Sequence, residues 1–145
     1  MNKFGKEYQA NKYKERNFIK LKDRWLKLKD EYLKKDWREI DDRYEISSDG
    51  VIYDNLRVKF RKGNKRPDGY TTIQINHKSK YIHRLVLDAF RGHPEGERKE
   101  TNHLNGNRSD NRLENLEWCT RAENVQHAFD VLNKKSNLKG WVKKK

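Results

Sequence analysis

LEWCTRAEN (Leu116–Asn124) changes its periodicity within a few residues. Leu116–Cys119 reads as a short returning strand. Thr120-Arg121-Ala122-Glu123 then fits a capping box. In that motif the threonine hydroxyl accepts from the third helical N–H while the glutamate reaches back to the cap. A helix has to begin there, and the pattern carries it from Arg121 to about Leu132. Upstream, LNGNRSDNRLEN (Leu104–Asn115) is dense in turn formers, with Asn105-Gly106 suited to positive φ. Before it, Glu100–His103 reads as a short strand. Strand, long loop, strand and capped helix make a ββα unit.

This unit gives its polar residues definite places. His103 ends the first strand, and Asn124 lies in the first turn of the helix, where it can face the hairpin. Asn102 and Asn124 can then offer amide oxygens to one divalent cation while His103 faces the same space. Oxygen ligands suit Mg²⁺ or Mn²⁺ rather than zinc. Phosphodiester hydrolysis needs a base for water and a cation for the charge developing on phosphate and leaving oxygen. One histidine and one metal supply both. Asn107 and Asn111 read as turn formers, His77 and His93 as surface residues, and Cys119 as buried beside Trp118. His127 could approach the site one turn after Asn124, but the Asn124 register fits better.

Charge placement points to the partner. Net charge is +13 over 145 residues. Residues 1–36 hold twelve basic and six acidic residues, and residues 134–145 hold six lysines and no acid. The stretch between them is nearly neutral, at +1. A neutral centre with basic ends suits a folded domain held to a polyanion, nucleic acid above all. An anionic membrane surface is the other electrostatic option. No apolar run approaches the roughly 20 residues that span a bilayer, and MNKFGKEYQANKYKER lacks the apolar stretch of a signal peptide. A single cysteine excludes an intrachain disulfide and suits a reducing compartment.

The rest of the chain frames the ββα unit. Phe18, Leu21, Trp25, Leu28 and Tyr32 form one helical stripe, widened by Ile19, Leu26 and Leu33. With no Pro or Gly from Asn11 to Asp36, this predicts a helix over about 12–35, after a frayed segment 1–10. Docking of its apolar face on the domain is favoured over a dimeric coiled coil, for which two heptads are short. After Trp37 the period drops to two. YEIS (Tyr44–Ser47), GVIYD (Gly50–Asp54), RVKF (Arg57–Phe60) and YTTIQI (Tyr70–Ile75) read as strands, and NHKSK as a turn. A helix follows near 83–91. The basic loop RKGNKRPDG and its flanks could lie in a major groove, with Arg57, Lys59, Arg61, Lys62, Lys65 and Arg66 as DNA contacts. The same cations could instead be a solvated edge.

NH-L-NGN…DN…ENLEW-T…EN resembles the HNH nuclease motif in its phage and intron-encoded homing endonuclease form. KYIHRLVLDAF resembles the segment preceding that motif, and WREI…YEIS…GVIY resembles a nuclease-associated N-terminal module. The resemblance spans about residues 37–128. It implies an α+β fold: a small antiparallel sheet plus a ββα-metal (His-Me finger) motif, with an N-terminal helical extension. Four segments are expected: a basic helical extension (1–36), a β-rich DNA-binding module (37–80), the nuclease core (81–132) and a basic tail (133–145). By position, His103 would be the general base and Asn102 and Asn124 the ligands of Mg²⁺ or Mn²⁺. Asn115 would brace the loop and so orient His103. Trp118 would pack beneath the site. His83, with Arg84 beside it, would take a structural or DNA-contacting place. Many relatives carry aspartate where Asn102 stands.

One ββα unit would attack one strand, so a monomer, favoured over a dimer, is expected to nick double-stranded DNA, and a double-strand break would need a dimer or a second nick. The resemblance implies 5′-phosphate and 3′-hydroxyl ends and a phage-encoded protein in the cytoplasm of a bacterial host. Two other classes stay open. One is a DNA-binding protein with an inactive site, and the other is a docking component of a phage assembly. The tail lysines Lys134, Lys135, Lys139, Lys143, Lys144 and Lys145 are expected to raise DNA affinity.

Overall fold

The computed structural model describes residues 15–139, with side chains from 17 to 131. Segment 1–10, the expected helix start at residue 12 and the tail lysine side chains lie outside the described residues. Helix α1 (Glu15–Leu33) is followed by an antiparallel meander of four strands: β1 (Trp37–Glu39), β2 (Tyr44–Ser47), β3 (Ile52–Asp54) and β4 (Lys59–Arg61). Every residue of β2 and β3 is buried, because both faces of this sheet are covered. Tyr44, Ile46 and Ile52 belong to the main core. Glu45 and its register partner Tyr53 face α1.

An aromatic box holds α1 in place. The Tyr53 ring stands edge-on to Trp25, Tyr32, Trp37 and Phe60, with centroids 6.2, 5.2, 6.1 and 5.7 Å away. Such pairs add to the burial energy of each ring. Tyr32 Oη donates to Glu45 Oε1 at 2.7 Å, and Trp37 Nε1 donates to the Tyr32 carbonyl at 2.8 Å. Ile19, Leu26 and Leu33, expected to widen the docked stripe, are instead 58%, 56% and 65% exposed. The broad rings of Trp25 and Tyr32 fill the contact and leave that flank of the helix in solvent.

Two further strand expectations need correction. RVKF was expected to begin a strand at Arg57, but the chain turns through Val58, whose φ of 52° is rare for a β-branched residue. Burial of its side chain offsets this, and β4 begins at Lys59. NHKSK is not all turn. Asn76 and His77, with φ of 52° and 66°, form a two-residue hairpin that returns the chain at once into a strand. The antiparallel region therefore divides in two. The second sheet joins β5 (Asn64–Lys65), β6 (Thr71–Ile75) and β7 (Lys78–Tyr81).

Helix α2 (Ile82–Arg91) lies where the layers meet. Its Ile82, Val86 and Leu87 share one core with Tyr44, Ile46, Ile52, Ile73, Ile75 and Leu116. The core thus runs from the first sheet to the ββα unit. That unit is β8 (Glu100–His103), a 3-10 turn at Leu113–Asn115, β9 (Leu116–Cys119) and α3 (Arg121–Lys139). Both strands match the sequence expectation, and the helix runs beyond Leu132. Thr120 and Glu123 make both capping-box bonds, at 2.9 and 3.1 Å.

Tyr53→Ala should lower the unfolding free energy by about 3–5 kcal/mol. Leu26→Ala, on the exposed flank, should stay within about 0.5 kcal/mol. Urea denaturation followed by circular dichroism compares the two, and equal losses would contradict this docking.

Candidate active site

The loop between β8 and β9 is built from side chain to backbone bonds. Asn115 Oδ1 accepts the Asn105 N–H at 2.9 Å, while Asn115 Nδ2 donates to Asn105 Oδ1 at 3.0 Å and to the Asp110 carbonyl at 2.9 Å. Asn105 Oδ1 and Asn107 Oδ1 each accept the backbone N–H two residues on, closing successive Asx turns. Gly106, at φ 76°, brings the loop against α3, where a Cβ would meet Val131 at 3.0 Å. From the other side, the Leu113 N–H donates to the Ser48 carbonyl at 2.8 Å. Gly50, with φ 86°, leaves room for Asn111, whose Cβ would be 3.3 Å from a Cβ at that position. The first sheet thus sets where the loop sits.

Asn111 does more than turn the chain. Its Oδ1 lies 2.9 Å from His103 Nε2, and both residues are buried. With an amide oxygen as acceptor, Nε2 carries the hydrogen and Nδ1 keeps its lone pair. Asn115 was expected to brace the loop and so orient His103. It contacts the loop, and the direct bond to the ring comes from Asn111. Burial pushes the His103 pKa below its ordinary 6.5, helped by Arg108 and opposed by the Asn111 bond and Asp110. The neutral, base-competent form therefore prevails at neutral pH.

His83 lies behind His103, edge-on to its ring with centroids 5.0 Å apart. Tyr70 and Tyr81 each stand 5.2 Å from His83. At 4% exposure, His83 has no surface to give a phosphate, so the DNA-contacting place considered for it is withdrawn in favour of packing. Its Nδ1 is buried without a hydrogen-bond partner among the described residues. Arg84 is also engaged: it donates to the Lys99 carbonyl at 3.1 Å and lies over the Trp118 ring. Trp118 donates in turn to the Gly92 carbonyl at 3.0 Å.

Tyr70, Asn102, His103, Arg108, Asn124 and His127 line one cavity of about 200 Å³ between hairpin and α3. Three of the four residues named from sequence for catalysis or metal therefore share a space, with Asn115 supporting it from the loop. Asn102 Nδ2 donates to Glu117 Oε1 at 3.2 Å, and Asn124 Nδ2 to Glu100 Oε1 at 2.8 Å. Their amide oxygens are left as hard donors, which suit Mg²⁺ or Mn²⁺. No cluster of three or more His, Cys, Asp or Glu able to hold a metal occurs among the described residues. His127 Nε2 is buried in the cavity wall without a hydrogen-bond partner among the described residues. Cys119 is buried, which pushes its thiol up to about 11, too high for a ready metal thiolate. Arg108 was missed from sequence. It lies over the Tyr70 ring, held by the Asp68 carbonyl at 3.0 Å, and brings a cation to the cleft.

The six basic candidates for DNA divide. Arg57, Lys59 and Arg61 line a separate cavity of about 360 Å³, with Arg43 beside them. Arg43 is already paired to Asp54 at 2.9 Å. Lys62 and Lys65 are exposed, and Arg66 pairs loosely with Asp68 at 3.4 Å.

Burial has a measurable consequence at His83, whose pKa falls to about 3 from 6.5, chiefly through desolvation and then through His103 and Arg84. Between those values the unfolded chain binds a proton that the folded chain refuses. The stability this gives is complete above pH 6.5 and is lost as pH falls from 6.5 toward about 3. His83→Phe should flatten the slope of stability against pH in that window, by up to about 1.4 kcal/mol per pH unit. Denaturant titrations at several pH values read the slope, and no change would contradict a neutral buried ring.

Residues 80–126 match the family model for HNH endonucleases. The mimivirus HNH endonuclease L247 is 38% identical over 104 residues, which is 65% of this chain and 26% of that protein. The DNA endonuclease I-HmuI of Bacillus phage SP01 is 31% identical, over 63% of this chain and 56% of its own length. A solved structure concerning DNA binding and cleavage by the HNH homing endonuclease I-HmuI superposes with TM-score 0.53 at 27% identity, covering 75% of this chain and 62% of that one. The chain thus spans between 26% and 56% of the length of these curated relatives. Asn102, His103, Arg108 and Asn124 of the cleft all fall within residues 80–126, the stretch that matches the HNH endonuclease family model.

Proposed function

We propose that the chain is a metal-dependent DNA endonuclease that nicks duplex DNA by hydrolysis. His103 is the general base, and Asn102 and Asn124 hold Mg²⁺ or Mn²⁺. The observation that carries this is the cavity that His103 lines together with Asn102 and Asn124, with His103 Nε2 bonded to Asn111. In this reading His103 Nδ1 takes a proton from the attacking water. Asn111 keeps the ring in its tautomer, and Asn115 holds the loop that carries Asn111. Arg108 meets the scissile phosphate, and a guanidinium there lowers the energy of the developing charge. The cation, when bound through the amide oxygens, would neutralise charge on the phosphate and the leaving oxygen.

The four segments take separate tasks in this proposal. Residues 81–132 cleave, residues 37–80 hold the duplex through Arg57, Lys59 and Arg61, and the basic helix and tail add affinity. With one base and one cation site per chain, a monomer cuts one strand. The phage relative supports a phage-encoded protein acting in the cytoplasm of a bacterial host. No helix among the described residues is long and apolar enough to cross a membrane. A second reading, a DNA-binding protein without activity, is favoured by one observation: Asn102 brings no charge to the cation.

A plasmid-nicking assay with Mg²⁺, Mn²⁺ or EDTA separates the two. Nicking should require metal and fall by about 10²–10⁴ in His103→Ala. Misorienting the base in Asn111→Ala should cost about 10²-fold. No nicking with any metal would leave only the inactive reading. Replacing Arg57, Lys59 and Arg61 by alanine should reduce the slope of log K against log salt by about 2–3, since each released phosphate contact contributes about 0.9. An unchanged slope would remove these residues from the interface.

A further inference from the structure

Asn102 and Asn124 arrive from different elements yet are held in the same way. Each donates its Nδ2 to a glutamate, Glu117 at 3.2 Å and Glu100 at 2.8 Å. Glu117 is the register partner of Asn102 across the hairpin. Glu100 lies two residues before Asn102 on β8, so both share one face of the strand. An ionised carboxylate can only accept, and an amide can donate only through nitrogen. Each contact therefore decides which end of the amide is which. Nitrogen goes to the glutamate, and oxygen is left for the cleft. No hydrogen bond reaches either Oδ1 from the described residues.

Both ligands are neutral, and a cation gains less from them than from carboxylates. The glutamates stand one hydrogen bond behind. Neither is spent on a strong ion pair. Glu100 lies 3.6 Å from Arg121, whose side chain is 85% exposed, a contact that solvent screens. Glu117 makes no ion pair among the described residues.

We propose that Glu100 and Glu117 are positioning residues for the cation. They turn the Asn124 and Asn102 amides oxygen-first toward it and supply the negative charge that these ligands lack. The inference rests on the metal reading above and extends it from the ligands to the groups that orient them. Partners of this kind commonly govern metal affinity as strongly as some ligands do.

Mn²⁺ binding to the full chain without DNA, read from the free-ion EPR signal, tests this apart from cleavage. Glu117→Leu should weaken binding by about tenfold or more, as loss of an outer partner does elsewhere. Glu117→Gln keeps an accepting oxygen without the charge and should fall between, and Glu100→Gln should also weaken binding. On an Asn102→Asp background the Glu117→Leu loss should shrink below about threefold, because a carboxylate presents oxygen in either orientation. Thermal melts confirm folding, and Glu117→Gln replaces Glu117→Leu if the latter is unstable. Unchanged affinity in the glutamate variants, with binding lost in Asn124→Ala, overturns the inference and leaves the metal reading intact. An equal loss on the Asn102→Asp background also overturns it. Affinity indifferent to Asn102→Ala and Asn124→Ala overturns both.

Discussion

The cross-strand pairing of His103 with Leu116 ties the cleft to the core. Leu116 is fully buried among Ile46, Ile52, Ile82 and Val86, so the returning strand cannot slide without emptying the core. A one-residue slip would turn every side chain of the hairpin to its opposite face. His103 is therefore placed by packing energy that belongs to the whole domain. The loop from Leu104 to Asn115 has only to close the distance and aim one ring. Asn115 does the closing with three hydrogen bonds, and Asn111 does the aiming with one.

The surroundings of His103 follow from that placement. A ring buried against His83 and Tyr70 is desolvated, and desolvation keeps imidazole neutral. Arg108 reinforces this from the loop. On the opposite face of β8, the hairpin carries Glu100 and Asn102 toward α3, and Asn124 meets them from its first turn. The two faces of one short strand thus separate the proposed base from the proposed cation ligands. Only at its end, beside the cavity, do they come together.

Much of the ββα unit was legible because its signals are local. The capping box at Thr120–Glu123 fixes a helix start, and the turn formers between Leu104 and Asn115 bound two strands that the structure reproduces residue for residue. The Asn111–His103 bond was not legible, since it depends on the path of a loop shaped by Asn115, Gly50 and the Ser48 carbonyl. Arg108 was hidden for the same reason. Strand β7 was missed because Lys78, Ser79 and Lys80 show no apolar alternation, and only pairing with β6 reveals it. A histidine on an amphipathic helix reads as polar, yet His83 is buried where three layers converge. The helical stripe at Phe18–Tyr32 gave the docking face, but its width was set by the aromatic box it met.

The central claim is that one base and two amide oxygens serve one cation. An anomalous difference map of the chain crystallised with duplex DNA and Mn²⁺ tests it directly. A single peak bound by Asn102 Oδ1 and Asn124 Oδ1 is expected, with His103 Nδ1 facing the water nearest the phosphate. A cation held by His127 without these amides, or one bound away from both of them, would contradict it.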